Sequence, residues 1–201
     1  AVNVSLYKKL AFDPLRDFAP ITLTASGANV LVVHPSVPAR TVKEFIVLAK
    51  SKSGRLSYAS SGNGTTPHLS GELFKTLAGV NMLHVPYKGA AMSITDVIGG
   101  HVDAAFVSLS SVATQLKAGR LRAIAITSAR RSALMPELTT FIDAGLPGFE
   151  VSGWYGLLTA APAPREAVVR VHADVTRVLA QPDTVRSLAN AGLEPAPANS
   201  P

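Results

Sequence analysis

The sequence predicts an α/β fold built on a mostly parallel sheet, and three observations carry that expectation. Short β-branched or apolar runs alternate with segments of helical period along most of the chain. Glycine or proline stands at nearly every junction between them. The apolar fraction is 47% and only 16% of the 201 residues are charged, which is enough apolar material for a substantial core.

The first 20 residues read mostly as connector, with a short helical turn over 5–10 and a loop in FDPLRDFAP. ITLT (21–24) and NVLVVH (29–34) are two extended segments. The second is nearly continuous in apolar residues and suits a strand covered on both faces. Pro35 and Pro38 end it. Residues 41–50 form a helix: Thr41 and Glu44 make a capping box, with Val42, Phe45, Ile46 and Ala49 on the inner side. The chain is organised around 56–79, LSYASSGNGTTPHLSGELFKTLAG, which reads as strand, glycine-rich turn and helix. Thr66 is expected as the N-cap and Pro67 as the first helical residue. Leu69, Leu73, Phe74 and Leu77 form the apolar stripe, and Gly79 ends the helix.

Strands follow at 82–87 and 102–107, separated by a helix over 90–98 that Gly99-Gly100 closes. Ser110 or Ser111 is expected to cap the next helix, which ends near Gly119. A strand over 121–127 precedes a helix expected from Pro136 to Gly145. VSGWYGLLT (151–159) is a further strand carrying Trp154, the only tryptophan. Pro164 opens a long amphipathic helix to about Ala180, with Val168, Val171, Val175 and Val178 inside. Pro182 opens a shorter one that stops at Gly192. The tail EPAPANSP shows no pattern and is expected to fray.

The formal net charge is +6, from 19 Lys and Arg against 13 Asp and Glu. The basic residues are scattered, with no aromatic-interleaved stripe. This argues against a nucleic-acid partner and fits a mild attraction for anions. Absent cysteine excludes thiolate metal sites and disulfides. No run is long and apolar enough to span a membrane. No signal peptide is read, and an opening Ala-Val-Asn-Val without methionine is expected of a processed or partial product.

A helix that starts straight after a glycine-rich turn aims free N–H groups and partial positive charge at one small space. Ser60, Ser61, Gly62, Asn63, Gly64, Thr65 and Thr66 therefore form a candidate carboxylate or phosphate site, with His68 just behind. The same turn fits a plain strand-to-helix connection equally well. Gly62 and Gly64 are not followed by a dinucleotide fingerprint or a P-loop lysine, so no cofactor is expected. In parallel sheets ligands sit beyond the carboxyl ends of the strands. The loops 87–91, with Tyr87 and Lys88, and 108–111, with Ser108, meet that description. Trp154 is either a core residue or a wall of the cleft.

A serine hydrolase is the enzymatic alternative, since Ser60, Ser61, His68, His84, Asp96 and Asp103 are all present. No G-x-S-x-G elbow occurs, and a histidine at a helix start is a poor base, so no catalytic residue is assigned. The five histidines make no H-x-x-x-H or H-E-x-x-H pair, so no metal is expected.

Five segments in order, LYKKLAFDPLRDFAPIT, NVLVVHPSVPARTVKEFIVLAK, LSYASSGNGTTPHLSGELFK, HVPYKGAAMSITDVIGGHVDAAF and GRLRAIAITSARRSALMPELTTFIDAGLPGFEVSGWYGLLTAAPAP, closely resemble the substrate-binding receptors of tripartite tricarboxylate transporters, the Bug or TctC-like family. The resemblance implies a periplasmic binding protein-like fold of type II, a two-lobed Venus flytrap. It implies a periplasmic receptor, not an enzyme, that takes a small carboxylate and delivers it to the transporter's membrane components. In that family the carboxylates sit between two strand-turn-helix motifs, one per lobe, and residues 60–66 correspond to the lobe-two motif. The family's leading segment, with a first strand and a P-x-x-x-G-G type loop, has no counterpart before Ala1, and the final stretch is short near Pro201. Truncation at both ends is therefore expected. One complete, mostly parallel βαβ lobe would span 31–152, and 1–30 with 153–201 would form a partial lobe lacking its N-terminal segment. Self-association through the incomplete lobe, cover from an unassigned segment, or a mobile final helix is the expected consequence.

Overall fold

The computed structural model describes residues 2–197 and 199. The chain divides into two compact units, Ala28–Gly153 and Ala1–Gly27 with Trp154–Pro201.

The larger unit holds a five-stranded sheet with helices on both faces. Its strands are the second half of β1 (Phe18–Val33), β2 (Ser57–Ser60), β3 (Leu83–Pro86), β4 (Ala104–Ser108) and β5 (Arg122–Ile126), in the order β3-β2-β4-β1-β5. β2 runs parallel to β3 and to β4. β1 is antiparallel to both β4 and β5. The sheet is thus mixed: four strands point one way, and β1, between β4 and β5, opposes them. The alternation of elements announces a parallel sheet, but it carries no information on the direction of a strand whose chain arrives from another unit.

Residue alternation on the strands sorts the core into two layers. Leu31 and Val33 of β1, Tyr58 of β2 and Phe106 of β4 face one layer. There they meet α2 (Val42–Ser51), α3 (Thr66–Ala78) and the turn carrying Phe141 and Phe149. Val30 and Val32, Ala59, Ala105 and Val107 face the other layer, with α4 (Ala90–Ile98) and α5 (Leu109–Lys117). Both layers are almost wholly removed from solvent, as a near-continuous apolar β1 requires.

Local chemistry sets the helix ends. Thr41 Oγ1 accepts the Glu44 N–H at 3.2 Å, and Glu44 reaches back to the Arg40 N–H at 2.7 Å, one residue before the expected partner. The 110s helix begins at Leu109 with Ser108 as its N-cap, so neither Ser110 nor Ser111 takes that place. The helix expected over 136–145 does not form. Thr139 and Thr140 instead continue the sheet beside β5: Ile126 N–H donates to Thr139 O, and Phe141 N–H to Ile126 O. Adjacent β-branched residues favour that extended path, and turns carry the chain onward. In α3 the buried residues are Pro67, Ser70, Gly71, Phe74 and Ala78, whereas Leu77 is exposed. The helix presents its small residues because the Tyr58 ring lies against it: a Cβ at Gly71 would fall 2.1 Å from Tyr58 Cε2.

The smaller unit contains α1 (Asn3–Leu6), the first half of β1, β6 (Ser152–Ala160), α6 (Arg165–Leu179), α7 (Pro182–Asn190) and β7 (Glu194–Pro195). The two segments expected at 21–24 and 29–34 are one continuous 16-residue strand. Part of the tail is paired as well: β7 pairs with Ala25 and Ser26, so the fraying expected there does not hold for Glu194 and Pro195, while residues 198, 200 and 201 lie outside the described residues. Asn199 accepts from Thr22 Oγ1 at 3.0 Å and from Leu23 N–H at 3.1 Å. The valines expected inside α6 are not buried; Val171 and Val178 are exposed, and Val168 and Val175 are half-buried. No helix among the described residues is long and apolar enough to cross a membrane.

Candidate functional site

The carboxyl ends of β3, β2, β4 and β5 share one end of the larger unit's sheet, and the amino-terminal part of β1 within that unit meets them there, with Asn29 opposite Ser108. The turn Ser61–Thr65 and the first residues of α3 lie at this end.

Ser60 closes β2 and is fully buried. Its Oγ stands 2.7 Å from His84 Nε2 and 3.2 Å from the Gly62 N–H. Ser60 Oγ accepts from Gly62 N–H and shares a hydrogen bond with His84 Nε2, while the Gly62 carbonyl lies 3.3 Å away as a second acceptor for its proton. Gly62 has φ +131°, a conformation L side chains rarely adopt, and a Cβ there would sit 3.2 Å from the Tyr87 carbonyl oxygen. The Gly62 carbonyl accepts from Thr65 N–H at 3.3 Å and from Thr65 Oγ1 at 2.7 Å. His68 Nδ1 accepts the Gly64 N–H at 3.0 Å. The N–H groups of Ser61, Asn63, Thr66 and His68 have no protein acceptor among the described residues. They cluster at the positive end of a 13-residue helix, where orphan donors are expected.

Thr65, not Thr66, occupies the N-cap position, and its hydroxyl points back to Gly62 rather than capping. The reason is the turn itself: it closes on Gly62 O and so draws in the threonine nearest that carbonyl.

The neighbouring loops add polar groups. Tyr87 N–H donates to Ser60 O at 3.0 Å, which brings that loop against the turn. The Tyr87 hydroxyl is spent on Asp96 Oδ2 at 2.5 Å; burial and that carboxylate push its pKa up to about 12. Lys88 is exposed and has no ion-pair partner among the described residues. Ser108 stands at the N-cap position of α5 without a side-chain cap bond, and its hydroxyl hydrogen-bonds Ser110 Oγ at 2.8 Å. Residues 60–66, His68, Tyr87, Lys88 and Ser108 therefore all belong to this end of the larger unit. Trp154 lies on β6 in the smaller unit with 54% of its surface exposed, so it is not a core residue.

Asn29, Ser70 and His84 lie outside the expected site set. Buried Asn29 donates from Nδ2 to Ser70 Oγ at 3.3 Å, and Ser70 donates to Thr66 O at 2.8 Å. These bonds fasten β1 to the first turn of α3. A polar residue opening an apolar strand and a serine inside an apolar stripe are the signals that mark them. His84 stacks on His68 with ring centroids 4.1 Å apart, and on Tyr58 at 4.8 Å. Burial, then the nearby His68, lowers its pKa to about 4. Tyr58 donates to Glu72 Oε1 at 2.7 Å, and Lys75 Nζ reaches the same carboxylate at 2.9 Å. Burial works to raise the Glu72 carboxyl, but the bonds from Lys75 and Tyr58 outweigh it and hold it below the usual range. Burial and Glu72 raise Tyr58.

Ser60 and His84 resemble a nucleophile and its base in contact distance only. Ser60 is sealed from solvent, and no carboxylate among the described residues hydrogen-bonds His84. A nucleophile must reach substrate, and this hydroxyl does not. No group of three or more potential metal ligands occurs among the described residues. What the arrangement can do is offer several N–H donors, without acceptors among the described residues, to an anion at a helix start.

Residues 1–201 match the family described as the tripartite tricarboxylate transporter family receptor. A curated UPF0065 protein from Pseudomonas sp. (strain P51) is 37% identical over 196 residues, covering 97% of this chain and 58% of its own. An R. palustris protein solved with adipate matches with a TM-score of 0.87 at 34% identity, over 94% of this chain and 63% of that one. MatC from Rhodopseudomonas palustris, solved with bound malate, matches with a TM-score of 0.84 at 29% identity, over 96% and 66%. The chain thus spans less than two thirds of the length of these relatives.

Proposed function

The chain belongs to the tripartite tricarboxylate transporter receptor family, and from that membership we propose that it is a periplasmic receptor that captures a small dicarboxylate and passes it to the membrane components of such a transporter. The observation that carries this reading is the set of four N–H groups, from Ser61, Asn63, Thr66 and His68, that have no protein acceptor among the described residues at the turn and start of α3. A carboxylate has two oxygens and about four lone pairs, so it matches such a donor set. Charge-assisted bonds of this kind contribute about 1.5–3 kcal/mol each. Hydroxyls of Ser61 and Thr66, the Asn63 amide, the exposed Lys88 ammonium and Ser108 stand on the same end of the sheet to orient the rest of the acid. The relatives solved with adipate and malate support a short dicarboxylate as the ligand class.

Isothermal titration with malate, adipate and citrate, run beside a generic ester-hydrolysis assay, tests this. Saturable one-to-one heat with at least one acid and no ester turnover is expected. No heat with any of them would remove the receptor reading for this chain, and turnover that Ser60→Ala abolishes would revive the hydrolase.

A further inference from the structure

We infer that His68 and His84 are a positioning pair: His68 directly, and His84 through Ser60, tie down the Gly64 and Gly62 N–H groups, and so decide which amides of the turn remain for a carboxylate. This rests on the receptor reading for its consequence, although the tethering itself does not.

Ser-Gly-Asn-Gly is among the most mobile sequences a turn can have, because two glycines open φ/ψ space on both sides of zero. Left free, its amides would point in many directions, and ordering them on binding would cost affinity. Two side chains remove that freedom. Gly62 N–H is held by Ser60 Oγ, which is itself hydrogen-bonded to His84 Nε2. Gly64 N–H is held by His68 Nδ1. The tethered amides alternate with the free ones of Ser61 and Asn63, so fixing one set aims the other.

The bond geometry fixes the chemical state of His68. Nδ1 accepts a hydrogen bond, so it carries no proton, and the neutral ring is the Nε2–H tautomer. An imidazolium would set N–H against N–H and release Gly64. His84 is held in register from behind. The two rings stack nearly flat, 15° apart, and the Tyr58 ring backs His84 at 23°. Tyr58 of β2 is pinned by Glu72 of α3, which Lys75 of α3 pairs in turn. Those are the charged and titratable groups facing the pair, and with Ser60 they complete its surroundings. The short site of Gly71 on α3 is what lets this column close.

The test uses the full chain, wild type and the variants H68L, H68N and H84Q. Asparagine places an acceptor where Nδ1 was, and glutamine places one where Nε2 was, but neither titrates. Amide hydrogen exchange at Gly64 should accelerate about tenfold or more in H68L, the effect expected of one lost hydrogen bond, and return toward wild type in H68N. In wild type the Gly64 amide should lose protection in acid, because a protonated Nδ1 cannot accept its N–H, while H68N stays flat. H84Q should keep Gly62 protected. Calorimetry with malate or adipate, whichever wild type binds, should show about a tenfold loss in H68L that H68N largely restores. Unchanged Gly64 protection in H68L, or the same acid response in H68N as in wild type, would overturn the inference. Should H68L fail to fold, the acid responses of Gly64 in wild type and H68N still decide it. Should neither acid bind wild type, the receptor reading fails, and the amide data alone judge the pair.

Discussion

His84 carries the clearest pH signature at the scale of single residues. Burial and the stacked His68 hold it neutral down to about 4, whereas the same ring in the unfolded chain takes a proton near 6.5. Between those values the unfolded state binds more protons, so stability must fall as pH drops from about 6.5 toward 4. Denaturant midpoints across that window should decline in wild type and decline less in His84→Gln; equal slopes in the two proteins would refute the assignment. The threonines at the head of α3 give a second contrast. Thr65 Oγ1 ties the turn to Gly62 O, and Thr66 makes no cap. Thr65→Ala should therefore cost about 1 kcal/mol of stability, and Thr66→Ala close to nothing without ligand; a larger loss at Thr66 in thermal unfolding would reverse that order. Much at this scale was legible in the sequence, because Gly62, Gly64 and the hydroxyls around them announce a turn. The pairing of Ser60 with His84 was not, since 24 residues separate them and only the parallel pairing of β2 with β3 brings them together.

Among the elements, helical period and caps were the dependable signals. α2 and α4 begin and end within a residue or so of expectation, because Thr41, Gly89 and Gly99 mark their limits. The segment at 136–145 shows where such signals lose. Leu138 and Phe141 bury well enough from an extended bridge and turn, so a proline start and a glycine stop do not compel a helix. Strand direction was equally hidden: the apolar run of β1 reads the same either way along the chain. Packing of α3 on β2 rests on Gly71, and Gly71→Ala tests it. Alanine improves helix propensity by up to about 1 kcal/mol, but its methyl would overlap the Tyr58 ring, and overpacking costs about 1–3 kcal/mol. The clash should win, with a lower denaturant midpoint and a displaced Tyr58–His84–His68 stack. A midpoint at or above wild type would show that the ring moves aside without penalty.

At the scale of the molecule the apolar residues are unevenly used. Both core layers belong to Ala28–Gly153. In the other unit, Ile21 and Ala25 are buried, while Leu15, Phe18, Trp154, Tyr155, Leu157, Leu158, Val171 and Val178 are exposed. On β6 both sides of the strand show large apolar groups to water, which sheets ordinarily avoid because such strands recruit other chains. Exposed apolar groups concentrated on one strand also mark interfaces. The 201-residue chain should therefore self-associate through this unit as concentration rises. Light scattering over a wide concentration range should show mass above the monomer, together with a blue shift in the emission of Trp154, the only tryptophan. Charging the strand with Leu158→Lys should return the chain to monomer, and it should leave the hydrogen-exchange protection of Val30–Val33 in the larger unit intact. A wild-type monomer at all concentrations, with Trp154 emission unchanged, would mean that these side chains tolerate solvent and that the smaller unit needs no partner.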